Sequence, residues 1–114
     1  MHILAVFAHP DDEAYGPGAT LARYAHTGHD VSLITLTHGE DGKLGICKTM
    51  KPDEIARMRS EELKCSAKTL GIDYLKIYHF PDRNLMKHPE QEGIEAVAQA
   101  IKKLKPDILL TFHP

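Results

Sequence analysis

Residues 8–13 of this 114-residue chain read Ala-His-Pro-Asp-Asp-Glu and follow the apolar run of residues 3–7 directly. Four side chains there can bind a metal or move a proton: His9, Asp11, Asp12 and Glu13. His9 offers an imidazole nitrogen, a good zinc ligand. Asp12, three residues on, can turn a carboxylate toward the same point if the chain bends, and Pro10 stiffens that bend. Asp11 then points elsewhere. A carboxylate left free beside a metal can take a proton from a bound water, and one further protein ligand with that water completes a catalytic zinc shell. The same six residues also read as a polar turn. Aspartate is common at helix N-caps, and Glu13 in a first helical turn would meet the positive end of the helix dipole. Spacing alone leaves both readings open.

What must position these residues is legible as an alternation of elements. Residues 2–7, 31–36, 74–78 and 108–112 are apolar runs of strand length. Residues 18–26, 54–70 and 93–104 carry apolar side chains at helical spacing. Gly28 and Gly71 are stop signals for the first two helices, and Pro106 closes the third. Strands that are continuously apolar, separated by helices, predict a single α/β domain with a mostly parallel sheet covered on both faces. Residues 37–53 and 80–92 are then long loops at strand exits, where such a fold places its ligand.

Composition narrows the class. Fourteen basic against sixteen acidic residues give a formal charge of −2, which speaks against a nucleic-acid or anionic-membrane partner. No apolar stretch nears the roughly 18 residues of a membrane span. Cys47 and Cys65 form no CxxC pattern and no disulfide framework, which fits a reduced, cytoplasmic setting.

Other candidates line the same loops. His38 stands at the second strand's exit beside Gly39, Glu40 and Asp41, and is a candidate for the pocket wall. Glu40 and Asp41 read as supporting or substrate contacts, or as plain loop. Asp82, with Arg83 and Asn84, follows the third strand at the same edge, as pocket lining or as a turn. His2, His26, His29, His79 and His88 have no partners at ligand spacing and read as exposed or packing residues. Gly16 and Gly18 flank Pro17, but position 21 is leucine, so the dinucleotide fingerprint GxGxxG fails.

The hexapeptide, followed by Gly16-Pro17-Gly18-Ala19-Thr20-Leu21, resembles the opening signature of the LmbE-like (PIG-L) family of zinc-dependent N-acetylglucosaminyl deacetylases. The likeness continues through Thr35–Gly42, Arg59-Ser60-Glu61-Glu62-Leu63, Phe80-Pro81-Asp82 and the run 108–112. It implies a Rossmann-like fold. It implies that His9 and Asp12 hold Zn2+ and that Asp11 is the general base. Glu13 would support the loop beside the substrate, and Arg59 would grip the substrate's polar end, with His38 lining the pocket. The implied reaction is hydrolysis of an N-acetyl group from a small-molecule amino-sugar conjugate, with release of acetate. The resemblance also expects a third ligand, a histidine beyond residue 114, because His113-Pro114 follows the last strand too closely. Residues 1–114 would then be an incomplete deacetylase domain.

Two rivals stand beside this reading. One is a nucleotide- or phosphate-binding domain using Gly16, Gly18 and the first helix. The other is a non-catalytic interaction fragment whose open sheet edge pairs with another chain, which also leaves room for a homo-oligomer.

Overall fold

The computed structural model describes residues 1–42, 49–83 and 85–113. Cys47, Asn84 and Pro114 lie outside the described residues. The described elements are β1 (His2–Phe7), α1 (Asp12–Tyr15), α2 (Gly18–His26), β2 (Asp30–Thr35), α3 (Pro52–Leu70), β3 (Tyr74–Ile77), a 3-10 turn (Leu85–Lys87), α4 (Glu90–Leu104) and β4 (Ile108–Leu110).

All strand pairs are parallel, in the order β3-β2-β1-β4. Ile3, Leu4 and Ala5 each have a neighbour on both sides, in β2 and in β4. The chain therefore steps outward from β1 through β2 to β3, then crosses back to the far side of β1. The strand order reverses there, which marks the usual ligand crevice of a doubly wound sheet. This is the expected Rossmann-like α/β fold, with helices on both faces.

The two faces of β1 seed two apolar clusters, as alternation along a strand requires. Ile3, Ala5 and Phe7 join Leu21 of α2, Leu63 of α3, and Val31 and Leu33 of β2. Leu4, Val6 and Ile34 meet Val97, Ala100, Ile101 and Leu104 of α4 on the other face. The second face is the thinner one. No described residue of α4 is fully buried, and Ile94, Ile108 and Leu109 are 52%, 40% and 48% exposed.

Element ends differ slightly from expectation. α3 starts at Pro52, whose missing N–H costs nothing at a helix's first position, and Glu54 accepts the N–H of Lys51 at 2.9 Å. α4 starts at Glu90 and tolerates Gly93 inside it. Gly71 closes α3 in the left-handed region, φ 79°. The last strand is shorter than residues 108–112, because beyond Leu110 side chains take over: Thr111 Oγ1 donates to the Val6 carbonyl, and the Phe112 ring lies 5.2 Å from that of Phe7.

Parallel strands have one consequence for chemistry. The loops after β1, β2 and β3 all leave from the same edge of the sheet. Residues 8–11, 36–42 and 78–83 therefore meet, although the chain separates them by up to about seventy positions.

Candidate active site

The loop after β1 is shaped by its own carboxylates. Asp11 takes a left-handed backbone, φ 95°, which a non-glycine residue adopts only at a cost. That twist aims its N–H at Glu13 Oε2, 2.9 Å away, and α1 begins at once. Asp12 folds its carboxylate back to accept the N–H of His9 at 2.9 Å. Asp12 Oδ2 then lies 3.7 Å from His9 Nδ1. This is too long for a hydrogen bond, and it brings an oxygen and a nitrogen donor to one point.

Glu13 sits beneath them, 1% exposed. It accepts the Asp11 N–H through one oxygen and Ser66 Oγ, at 2.7 Å, through the other. Its carboxylate joins the loop to α3. The described contacts of Glu13 are thus internal ones.

Arg59 of α3 closes the same loop from above. Its Nη2 donates to the Pro10 carbonyl at 2.6 Å and to Asp11 Oδ2 at 3.0 Å, and its Nη1 to the Gly39 carbonyl at 2.8 Å. Three acceptors on two loops match the rigid fork of a guanidinium and would not match an ammonium. The space for it is made by glycine. A Cβ on Gly39 would collide with Arg59 Nη1, and one on Gly42 would come within 2.7 Å of it.

The loop after β2 is stitched to the loop after β1 by Thr37. Its N–H and Oγ1 both donate to the Ala8 carbonyl, at 3.0 and 2.9 Å. Asp82, in the loop after β3, is seated by its neighbours from β2. Its N–H donates to Glu40 Oε1 and its Oδ2 accepts the N–H of Asp41, both at 2.9 Å. Its Oδ1 is 2.7 Å from His9 Nε2. Asp82 was readable from sequence only as a residue at the same sheet edge. Its direct contact with His9 needs β2 and β3 side by side.

His38 faces away from this group. Its Nδ1 lies 2.6 Å from Ser60 Oγ and its Nε2 lies 2.7 Å from His79 Nδ1, with the rings 4.7 Å apart. Burial, and next His79, push the His38 pKa below the ordinary imidazole value, and Glu40 opposes with a smaller effect. His79 therefore has a partner that its position in the sequence does not announce. His2, by contrast, is a structural residue, bonded to Ser32 Oγ and the Leu104 carbonyl.

His9, Asp11, Arg59 and Asp82, with Asp41, Gly42, Met50, Ile55, Met58 and Glu62, line a cleft of about 660 Å³. Among the described residues no group of three or more His, Cys, Asp or Glu side chains is arranged to hold a metal ion. His9 and Asp12 come together as a pair, one nitrogen and one carboxylate oxygen 3.7 Å apart. Nitrogen and carboxylate oxygen are the donor types of a catalytic zinc, and two donors leave two positions of a tetrahedral shell for others.

Residues 4–114 match the model of the family described as PIG-L, GlcNAc-PI de-N-acetylase. The chain belongs to that family. A probable N-acetyl-alpha-D-glucosaminyl L-malate deacetylase 2 of Bacillus cereus is 33% identical, over 99% of this chain and 52% of the relative. A 1D-myo-inositol 2-acetamido-2-deoxy-alpha-D-glucopyranoside deacetylase 2 of Catenulispora acidiphila is 32% identical, over 98% and 44%. The N,N'-diacetylchitobiose deacetylase of Pyrococcus horikoshii, solved with an inhibitor, superposes with a TM-score of 0.85 at 26% identity, covering 95% of this chain and 39% of that one. The chain thus spans about two fifths to one half of the length of these PIG-L relatives. No helix among the described residues is long and apolar enough to cross a membrane.

Proposed function

We propose that this chain supplies the water-activating part of a zinc-dependent N-deacetylase site for a small N-acetylglucosamine conjugate. The observation that carries this reading is a pair of metal donors, His9 and Asp12, beside a half-exposed carboxylate, that of Asp11, which lines a polar cleft with His9. His9 Nδ1 and Asp12 Oδ2 stand 3.7 Å apart, and Asp11, half exposed, opens into the same cleft. Family membership and the names of the Bacillus cereus and Catenulispora acidiphila relatives, deacetylases of N-acetylglucosaminyl compounds, support the substrate class.

In this reading His9 and Asp12 hold zinc, which when bound supplies a Lewis acid for the acetyl carbonyl. Asp11 takes the proton of the attacking water. The water oxygen bonds to the acyl carbon, the amide C–N bond breaks, the nitrogen leaves as an amine with the proton that Asp11 took from water, and the acyl carbon leaves as acetate. Arg59 fixes Asp11 Oδ2 and holds the floor of the cleft; its remaining donors are directed at hydroxyl or carboxylate groups of the conjugate. Glu13 keeps the loop in register from below.

The phosphate-binding rival has less support. Gly18 is buried, and a Cβ there would press to 3.3 Å on the Glu13 carbonyl, so this glycine serves close packing.

The test is acetate release from N-acetylglucosaminyl malate and inositol conjugates by the whole protein. Activity is expected to vanish with a chelator, to return with zinc, and to be lost in Asp11→Asn with zinc binding retained. Turnover that survives the chelator, or full turnover in Asp11→Asn, would overturn the reading.

A further inference from the structure

We infer that Asp82 is a positioning residue that selects which nitrogen of His9 faces the metal. The inference rests on the proposed zinc site and deepens it. An imidazole can present either nitrogen to a metal, and the partner of the other nitrogen decides which. Here His9 Nε2 lies 2.7 Å from Asp82 Oδ1. An ionised carboxylate only accepts, so Nε2 must carry the proton. The lone pair of the neutral ring then sits on Nδ1, the nitrogen turned toward Asp12.

Asp82 is itself held so that this choice is firm. Its carboxylate is 9% exposed, its second oxygen is engaged by the Asp41 N–H, and its own N–H is engaged by Glu40. The loop after β2 thus sets Asp82, Asp82 sets the ring of His9, and His9 with Asp12 forms the donor pair. A carboxylate–histidine–metal relay of this kind raises ligand basicity, and losing the outer carboxylate costs about 10- to 100-fold in metal affinity.

The experiment reads the tautomer directly. The chain is labelled with 15N-histidine and its long-range proton–nitrogen correlations are recorded without metal at a pH of about 8.5, where an ordinary imidazole is neutral. The His9 ring is expected in the Nε2–H form in the wild-type chain and as a tautomer mixture in Asp82→Ala. Zinc titration of the same samples is expected to show affinity about 10- to 100-fold lower in Asp82→Ala. An Nδ1–H ring in the wild-type chain would overturn the inference, and that observation needs no variant to fold. A His9 ring and zinc affinity unmoved by Asp82→Ala would also overturn it. Zinc affinity that is the same in His9→Ala as in wild type would instead remove the metal reading beneath it. The two failures are therefore separate.

Discussion

Ser66 donates a hydrogen bond of 2.7 Å to Glu13 across 53 positions of sequence, and that contact makes a buried carboxylate the anchor of the loop after β1. Glu13 is 1% exposed and also accepts the Asp11 N–H. Removing it takes the acceptor from two part-buried donors, and a donor left unpaired away from water costs about 1–3 kcal/mol. Glu13→Ala should therefore destabilise the fold by roughly 2–4 kcal/mol, on the scale of a broken buried network. Glu13→Gln should cost clearly less. Its Oε1 can take the Asp11 N–H, and its amide can donate to Ser66 Oγ, which accepts as well as donates. Urea unfolding of the two variants checks this. Equal losses would mean that the charge of Glu13, and not its acceptors, holds the loop.

Gly39 has φ +65°, and a Cβ there would run into the guanidinium of Arg59. Gly39→Ala is therefore strained twice, by its backbone and by its neighbour. A loss of more than about 1 kcal/mol is expected. Arg59 must also leave the Gly39 carbonyl, so the Asp11–Arg59 pair should loosen. If the whole protein has the proposed activity, KM should rise along with any fall in kcat. Gly39→Ala with wild-type stability would show that Arg59 is seated otherwise in solution.

The fold was readable because its signals are local. Continuous apolar runs of strand length, helical spacing between them and the stops at Gly71 and Pro106 suffice to write a parallel α/β sheet. The residues at the exit of β1 were readable for the same reason, since His9, Asp11, Asp12 and Glu13 lie within five positions. What organises them was not. Ser66, Thr37, Gly39 and Asp82 act through contacts that exist only once α3 lies over the loop and β1, β2 and β3 stand in register. His79 read as an isolated histidine because its partner, His38, is 41 residues away and is reached only across the β2–β3 pair.

The His38–His79 pair should give the fold an acid-sensitive component. Ser60 Oγ donates to the Ala56 carbonyl at 2.7 Å, so it receives the Nδ1–H of His38. His38 Nε2 is then the acceptor for the Nδ1–H of His79, and a proton placed there would face another N–H. Burial, then His79, hold the His38 pKa below its ordinary 6.5, against the smaller pull of Glu40. Below that ordinary value the unfolded chain binds a proton that the folded chain refuses. The stability due to neutral His38 is thus fully present above pH 6.5 and declines as pH falls from 6.5 toward the lowered folded value. Denaturation of wild type and His38→Gln across that range checks it. The stability difference between them should shrink on acidification, and a difference that grows would reverse the sign of the argument.

Asp11 combines a left-handed backbone, φ 95°, with the carboxylate proposed for proton transfer. Glycine adopts that conformation without penalty, whereas a side chain there costs of order 1–3 kcal/mol. The side chain recovers little in return, because its ion pair with Arg59 at 3.0 Å is half exposed on the Asp11 side. Asp11→Gly should therefore be more stable than Asp11→Ala by about 1 kcal/mol, and at least as stable as wild type. Both variants should abolish the proposed turnover of the whole protein. Stability gained where activity is lost would mean that the strain at position 11 is retained for the chemistry its carboxylate performs. The same order of stabilities with activity intact would leave Asp11 as a strained turn residue, and the base would have to be sought elsewhere in the cleft.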